Sequence, residues 1–135
     1  MARIKTDVGA YKKISHKDFE KLQLRAGTIK KVTRHPKIPQ AYVILVDCAA
    51  ADEDIQVVAS IANSYKITEL LNKQVVVLCN IKPELVGGKE SQGMLLITYK
   101  GKKQILIGPH KKAPEGAKVG GIMNSECYFF DEREN

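Results

Sequence analysis

The chain has 135 residues, 44% of them apolar and 27% charged, with a formal net charge of +7. That is the composition of one ordinary globular domain, long enough for a real core and too short for two. It excludes a helical membrane span, because no stretch approaches the ~20 consecutive apolar residues that one needs. Residues 1–10 also lack the apolar block of a secretory signal, so a cytoplasmic location without a membrane partner is expected.

The charge is unevenly spread. Residues 1–37 carry eleven Lys and Arg against three Asp and Glu, and residues 82–112 carry seven against two, whereas 38–81 and 113–135 are each net acidic. Two basic blocks far apart in the chain become one patch if folding brings them together, as a nucleic-acid ligand requires. Left apart, they are a solubilising coat. Three cysteines, Cys48, Cys79 and Cys127, form an odd set with no close pairing. Two of them sit inside apolar runs, and the set reads as buried free thiols of a reducing compartment.

Residues 1–14 show no period and read as a loose arm. Ser15 and Asp18 make a candidate capping box for a short helix, with Phe19 and Leu22 as its buried face. Residues 24–32 alternate as a first strand, in which Gly27 suggests a bend or bulge. Pro36 and Pro39 make residues 34–39 a loop. A second strand follows at 42–47, an acidic turn at 49–54 and a third strand at 55–61. Residues 65–71 form the one interior helix, capped by Ser64 or Thr68 and closed by Asn72. The fourth and fifth strands, 74–80 and 94–99, are joined by a polar, glycine-rich loop. Gly101 turns the chain into a strand at 104–107, residues 109–121 are loop, and 125–130 form a last short strand.

The order β-β-β-α-β-β fits an all-β fold, a five-stranded Greek-key barrel with its short helix between the third and fourth strands. Segments 42–46, 75–79 and 105–107 are apolar on both faces, where a barrel with a wet exterior alternates. The outside therefore needs cover, from the chain's own extensions or from a second copy. With Phe129 and Phe130 in the tail, a homodimer is expected, with residues 122–135 as its contact.

Asn80-Ile81-Lys82-Pro83, then Gly87, then Glu90-Ser91-Gln92-Gly93-Met94-Leu95-Leu96 resemble the signature of the tRNA-binding oligonucleotide-binding-fold (OB-fold) family. Asp18-Phe19-Glu20-Lys21-Leu22 with residues 24–29 is similar to that family's opening strand, and Arg34-His35-Pro36 with Tyr42-Val43 follows in the same order. The similarity spans residues 19–120. The family occurs fused to methionyl- and tyrosyl-tRNA synthetases, in endothelial monocyte-activating polypeptide-like accessory proteins, and as free-standing dimers. The resemblance implies an OB-fold domain over residues 15–121 with extensions at 1–14 and 122–135. It implies a non-catalytic, tRNA-binding function, free-standing or synthetase-associated. The partners implied are tRNA, a second copy and an aminoacyl-tRNA synthetase.

The residue types suited to RNA are cations for phosphates, amides and hydroxyls for sugars or bases, and exposed apolar groups for stacking. The candidates are Lys30, Lys31 and Arg34 with Lys37 from the first strand and its loop. Asn80, Lys82, Lys89, Ser91, Gln92 and Met94 come from the glycine-rich connection, and Lys100, Lys102 and Lys103 from the segment after the fifth strand. The chain departs from the family at Glu84-Leu85-Val86, where relatives present further basic residues. A carboxylate there opposes phosphate. The apolar pair suits another branch of the family, dimeric export-linked chaperones that bind peptides in a surface pocket. A third reading is an assembly module that docks on a synthetase complex.

Chemistry is not indicated. His16, His35 and His110 are isolated and have no metal-ligand spacing with the cysteines. Gly87-Gly88-Lys89-Glu90-Ser91 lacks the spacing of a phosphate loop, and no Ser or Cys has an evident base. No catalytic residue, metal or cofactor is expected.

Overall fold

A computed structural model describes residues 6–50, 52–123 and 126–128. The chain opens with α1 (His16–Glu20), where the capping box forms as read from sequence. Ser15 Oγ accepts from the Asp18 amide at 3.1 Å, and the Asp18 carboxylate accepts from the Ser15 amide at 3.4 Å. The buried face does not form: a helix this short has no apolar stripe to present, so Phe19 is half-buried and Leu22 exposed.

β1 (Leu24–Arg34), β2 (Tyr42–Asp47) and β3 (Ile55–Ala59) make an antiparallel meander. The single turn of α2 (Ile67–Leu70) leads to β4 (Gln74–Leu78), which returns to pair with β1. The chain then runs through β5 (Glu84–Val86), β6 (Lys89–Ser91), β7 (Met94–Leu95), β8 (Ile97–Lys100), β9 (Lys103–Leu106), β10 (Gly121–Met123) and β11 (Glu126–Tyr128). β7 pairs with β4, so the main sheet has five strands in the order β3-β2-β1-β4-β7. That is a Greek key curled into a nearly closed barrel, as the sequence pattern implied. Inside it, Ile29, Tyr42, Ile44, Val46, Val57, Leu70, Val75 and Val77 are fully buried.

Several local expectations shift. The register between β1 and β2 slips between Ile29 and Lys31, so the bulge is at Lys30 and not at Gly27. Gly27 answers a different need, since a Cβ there would lie 2.6 Å from Val46 Cγ1 and 2.7 Å from Cys48 Sγ. The interior helix is shorter than its pattern, and neither Ser64 nor Thr68 caps it. The Lys66 amide instead donates to Glu69 Oε1 at 2.8 Å, while the Ser64 hydroxyl donates to Gln104. Asn72 does close the turn, with φ +67. The fifth strand breaks at Leu96, which still donates to Val76 O at 3.0 Å but turns its own carbonyl to the Ile107 amide at 3.0 Å. The chain there changes partner, from β4 to the β8–β9 hairpin.

The apolar outer face is covered in part by this same chain. The Val76 amide donates to Ile107 O at 2.9 Å, and the Gln74 side-chain amide exchanges bonds of 2.7 and 2.9 Å with the Ala113 backbone. Residues 116–119 continue along β1, with Gly116 donating to Ala26 O at 2.7 Å and Val119 to Leu24 O at 2.9 Å. Leu24, Ala26 and Val76 are buried although they lie outside the main core cluster. The expected last strand is present as β11, paired with β10. Phe129, Phe130 and the rest of the tail lie outside the described residues. Among the described residues, no helix is long and apolar enough to cross a membrane.

Candidate nucleic-acid interface

The glycine-rich connection, expected as a loop, is a hairpin. β5 and β6 pair through Glu84–Ser91, Leu85–Glu90 and Val86–Lys89, and Gly87 and Gly88 sit at φ +56 and +85. Two positive φ angles in a two-residue connection are what a tightly twisted hairpin demands, and glycine supplies them without steric cost.

His35 fastens this hairpin to the loop after β1. Its Nδ1 accepts from the Lys37 and Ile38 amides at 3.0 and 3.1 Å, which leaves the ring proton on Nε2, 2.7 Å from Val86 O. The imidazole is 5% exposed. Gly87 lets the two loops touch, since a Cβ there would stand 2.6 Å from His35 Cε1. Arg34, whose guanidinium lies 5.9 Å from the Tyr42 ring centre, and Lys37 are near neighbours of this clamp in the chain, and Lys89 pairs with Val86 on its hairpin side.

Behind the hairpin lies a groove of about 320 Å³, bounded by β3, β5, β7 and the start of β8. Ala59, Ile61, Ile81, Leu95 and Ile97 give it an apolar lining, Lys82, Glu84 and Gln104 add polar groups, and Met94 is 46% exposed beside it.

The other sequence candidates divide by what their polar atoms do. Ser91 and Gln92 close the barrel where β3 and β7 fail to form a ladder. Ser91 Oγ accepts from the Val58 amide at 3.0 Å and donates to Gly93 O at 3.1 Å. Gln92 Oε1 accepts from the Gln56 backbone amide at 2.9 Å, and the Gln92 backbone amide donates to Gln56 O at 2.7 Å. Asn80 pins the exit of β4 to the segment after α1, accepting from the Gln23 amide at 2.9 Å and donating to Lys21 O. Lys100 and Lys102 are exposed around the β8–β9 turn, whereas Lys103 Nζ donates to Asn63 O at 2.7 Å.

Lys30 and Lys31 lie further back along β1 than the loop that His35 ties to the hairpin. Lys31 is exposed opposite Leu45 in the β1–β2 register. Lys30 Nζ is 3.2 Å from Glu115 and lines a separate cavity with Asn72, Gln74 and Lys112. A neighbouring acid shares that cluster: the Ala49 amide, then Glu115, then the Lys30 charge hold the Asp47 carboxyl below its ordinary range. The two basic blocks thus meet at the His35 end of β1 and diverge at Lys30. His35 and Gln56 were missed by sequence reasoning. The Gly87-Gly88 pair between two short segments was the signal that could have revealed the hairpin they serve.

A small five-stranded antiparallel Greek-key barrel with a short helix between its third and fourth strands is an OB-fold barrel. Within that class the chain can be placed. Residues 24–118 match the family described as "Putative tRNA binding domain", and the chain belongs to it. It is 42% identical over 106 residues to the methionine–tRNA ligase of Pyrococcus furiosus, covering 78% of this chain and 14% of the ligase. It is 39% identical over 106 residues to the enzyme of Archaeoglobus fulgidus, covering 78% of this chain and 16% of that one. The chain therefore spans only a small part of the length of these curated relatives. Among solved structures it is similar to a MetRS related protein from Pyrococcus horikoshii, with a TM-score of 0.73 and 29% identity over 81% of this chain and 99% of that one. It is also similar to the chaperone CsaA of Bacillus anthracis, with a TM-score of 0.70 and 26% identity over 80% of this chain and 99% of that one.

Proposed function

We propose that this chain is a non-catalytic tRNA-binding module. It acts in the cytoplasm as a homodimer through residues 122–135 and associates with an aminoacyl-tRNA synthetase. The family match over residues 24–118 carries the reading, because it includes both of the loops that His35 fastens together. Arg34, Lys37, Lys82 and Lys89 form the phosphate-binding edge, Lys100, Lys102 and Lys103 flank it from the neighbouring hairpin, and Lys31 extends it along β1. Met94 offers an apolar surface for a base or sugar. Asn80, Ser91 and Gln92 serve the edge by holding its backbone in place. Recognition is then of RNA shape and backbone more than of sequence.

Affinity for bulk tRNA measured across salt concentrations tests this. Lys82→Ala and Lys89→Ala should each weaken binding and flatten the log–log salt slope by about 1, the loss of one phosphate contact. Unchanged affinity and slope in both variants would remove the hairpin from the interface.

One observation favours a second reading, a peptide-binding chaperone. The groove is lined mainly by apolar side chains, Leu85 beside it is 75% exposed, and CsaA has the same fold. Binding to an unfolded polypeptide, run beside the tRNA titration, separates the two. Polypeptide binding that persists at high salt, without tRNA binding at low salt, would select the chaperone.

A further inference from the structure

Cys48 follows β2 and Cys79 follows β4, and the fold brings these distant residues together. Cys48 is buried in the core cluster, and Cys79 is half-buried and packed against that cluster, its thiol donating to Val77 O at 3.6 Å. Both line an open cavity of about 330 Å³ together with Arg25, Ile55 and Gly116, and this cavity shares no lining residue with the groove behind the hairpin. The Arg25 guanidinium is held there by Gly116 O and Gln23 Oε1, each at 3.3 Å. Gly27 keeps the space beside Cys48 open, since a Cβ would come within 2.7 Å of its sulfur.

The two thiols are not equivalent. Interaction with Cys48 and the nearby Arg25 charge lower the Cys79 pKa, while interaction with Cys79 and burial push the Cys48 thiol up. A half-buried, reachable cysteine beside a buried one on the same cavity is the arrangement of an attacking and a resolving cysteine. Neither is among the residues proposed above to contact RNA.

We propose that Cys48 and Cys79 form a peroxide-oxidisable pair, a modification site whose co-substrate is hydrogen peroxide. The Cys79 thiolate attacks one peroxide oxygen. The O–O bond breaks, an S–O bond forms, and the second oxygen takes up a proton and leaves as water. Cys79 is then a sulfenic acid. The Cys48 sulfur attacks the Cys79 sulfur, the S–O bond breaks, and the departing hydroxyl leaves as a second water with the Cys48 proton. The thiols lose two electrons and the peroxide gains them.

Treating the full chain with hydrogen peroxide, then measuring intact mass and mapping peptides without reductant, tests this. The expected result is a loss of two hydrogens, one cross-link joining the peptides of Cys48 and Cys79, and full reversal by dithiothreitol. Cys127→Ser should behave identically. Cys48→Ser should leave Cys79 as a sulfenic acid that dimedone traps. Absence of the cross-link, or a cross-link that runs through Cys127, overturns the proposal. Should Cys48→Ser not fold, alkylation of the native chain across pH replaces it: Cys79 must react at lower pH than Cys48, and the reverse order overturns the assignment.

Discussion

His35 shows how one side chain sets the position of many. Its ring satisfies two amides on its own loop and one carbonyl on the hairpin, so two segments far apart in sequence share one fixed geometry. Nothing local announced this: a lone histidine before a proline reads as an ordinary loop residue. The capping box at Ser15, by contrast, was legible, because both of its partners lie within four positions of each other. Gly87 and Gly88 test the contact. Both adopt left-handed backbone, which costs an L-residue about 1–2 kcal/mol, but only Gly87 faces the imidazole, and Gly88 has open space. Gly88→Ala should therefore lose about 1 kcal/mol, the backbone term alone. Gly87→Ala should lose more, because displacing the ring also leaves buried polar groups unpaired at about 1–3 kcal/mol. Urea denaturation of both variants checks the order, and equal losses would mean that the ring gives way freely.

At the scale of elements, the five barrel strands could be read from alternation and β-branched runs, whereas the β5–β6 hairpin could not. Its strands are short and mostly polar, Glu84-Leu85-Val86 and Lys89-Glu90-Ser91, so the hydrophobic pattern is silent, and only the paired glycines marked the turn. The break at Leu96 was equally hidden, because the choice between two hydrogen-bonding partners is made by the β8–β9 hairpin and not by the residue. The seam between β3 and β7 is the most consequential case. Ser91 and Gln92 look like ligand-facing residues from sequence, yet their polar atoms meet backbone groups of Gln56 and Val58. Ser91→Ala would leave the Val58 amide without its acceptor and should cost about 1–3 kcal/mol of stability. Lys89→Ala, on an exposed position, should leave the denaturation midpoint unchanged. If Ser91→Ala lowers tRNA affinity with no loss of stability, its hydroxyl faces the ligand instead.

Across the whole molecule, charge distribution announced a basic surface but not its outline. Counting residues along the chain could not reveal that the bulge at Lys30 and the acidic Glu115 divide the first block, since that division depends on a contact across most of the sequence. Lys30→Ala should leave the salt slope of tRNA binding unchanged while Lys89→Ala flattens it. The surface ion pair with Glu115 is worth about 0–1 kcal/mol, so folding is little affected. An equal change of slope in both variants would extend the RNA platform to the far end of β1. One further consequence follows from the bond between Leu24 and Val119. The polypeptide comes into the barrel and goes out of it at neighbouring points, so the whole unit can be spliced into a surface turn of some larger host without prying that host apart. Adjoining ends suit a cassette, and this chain matches only 14% and 16% of the length of two much longer ligases.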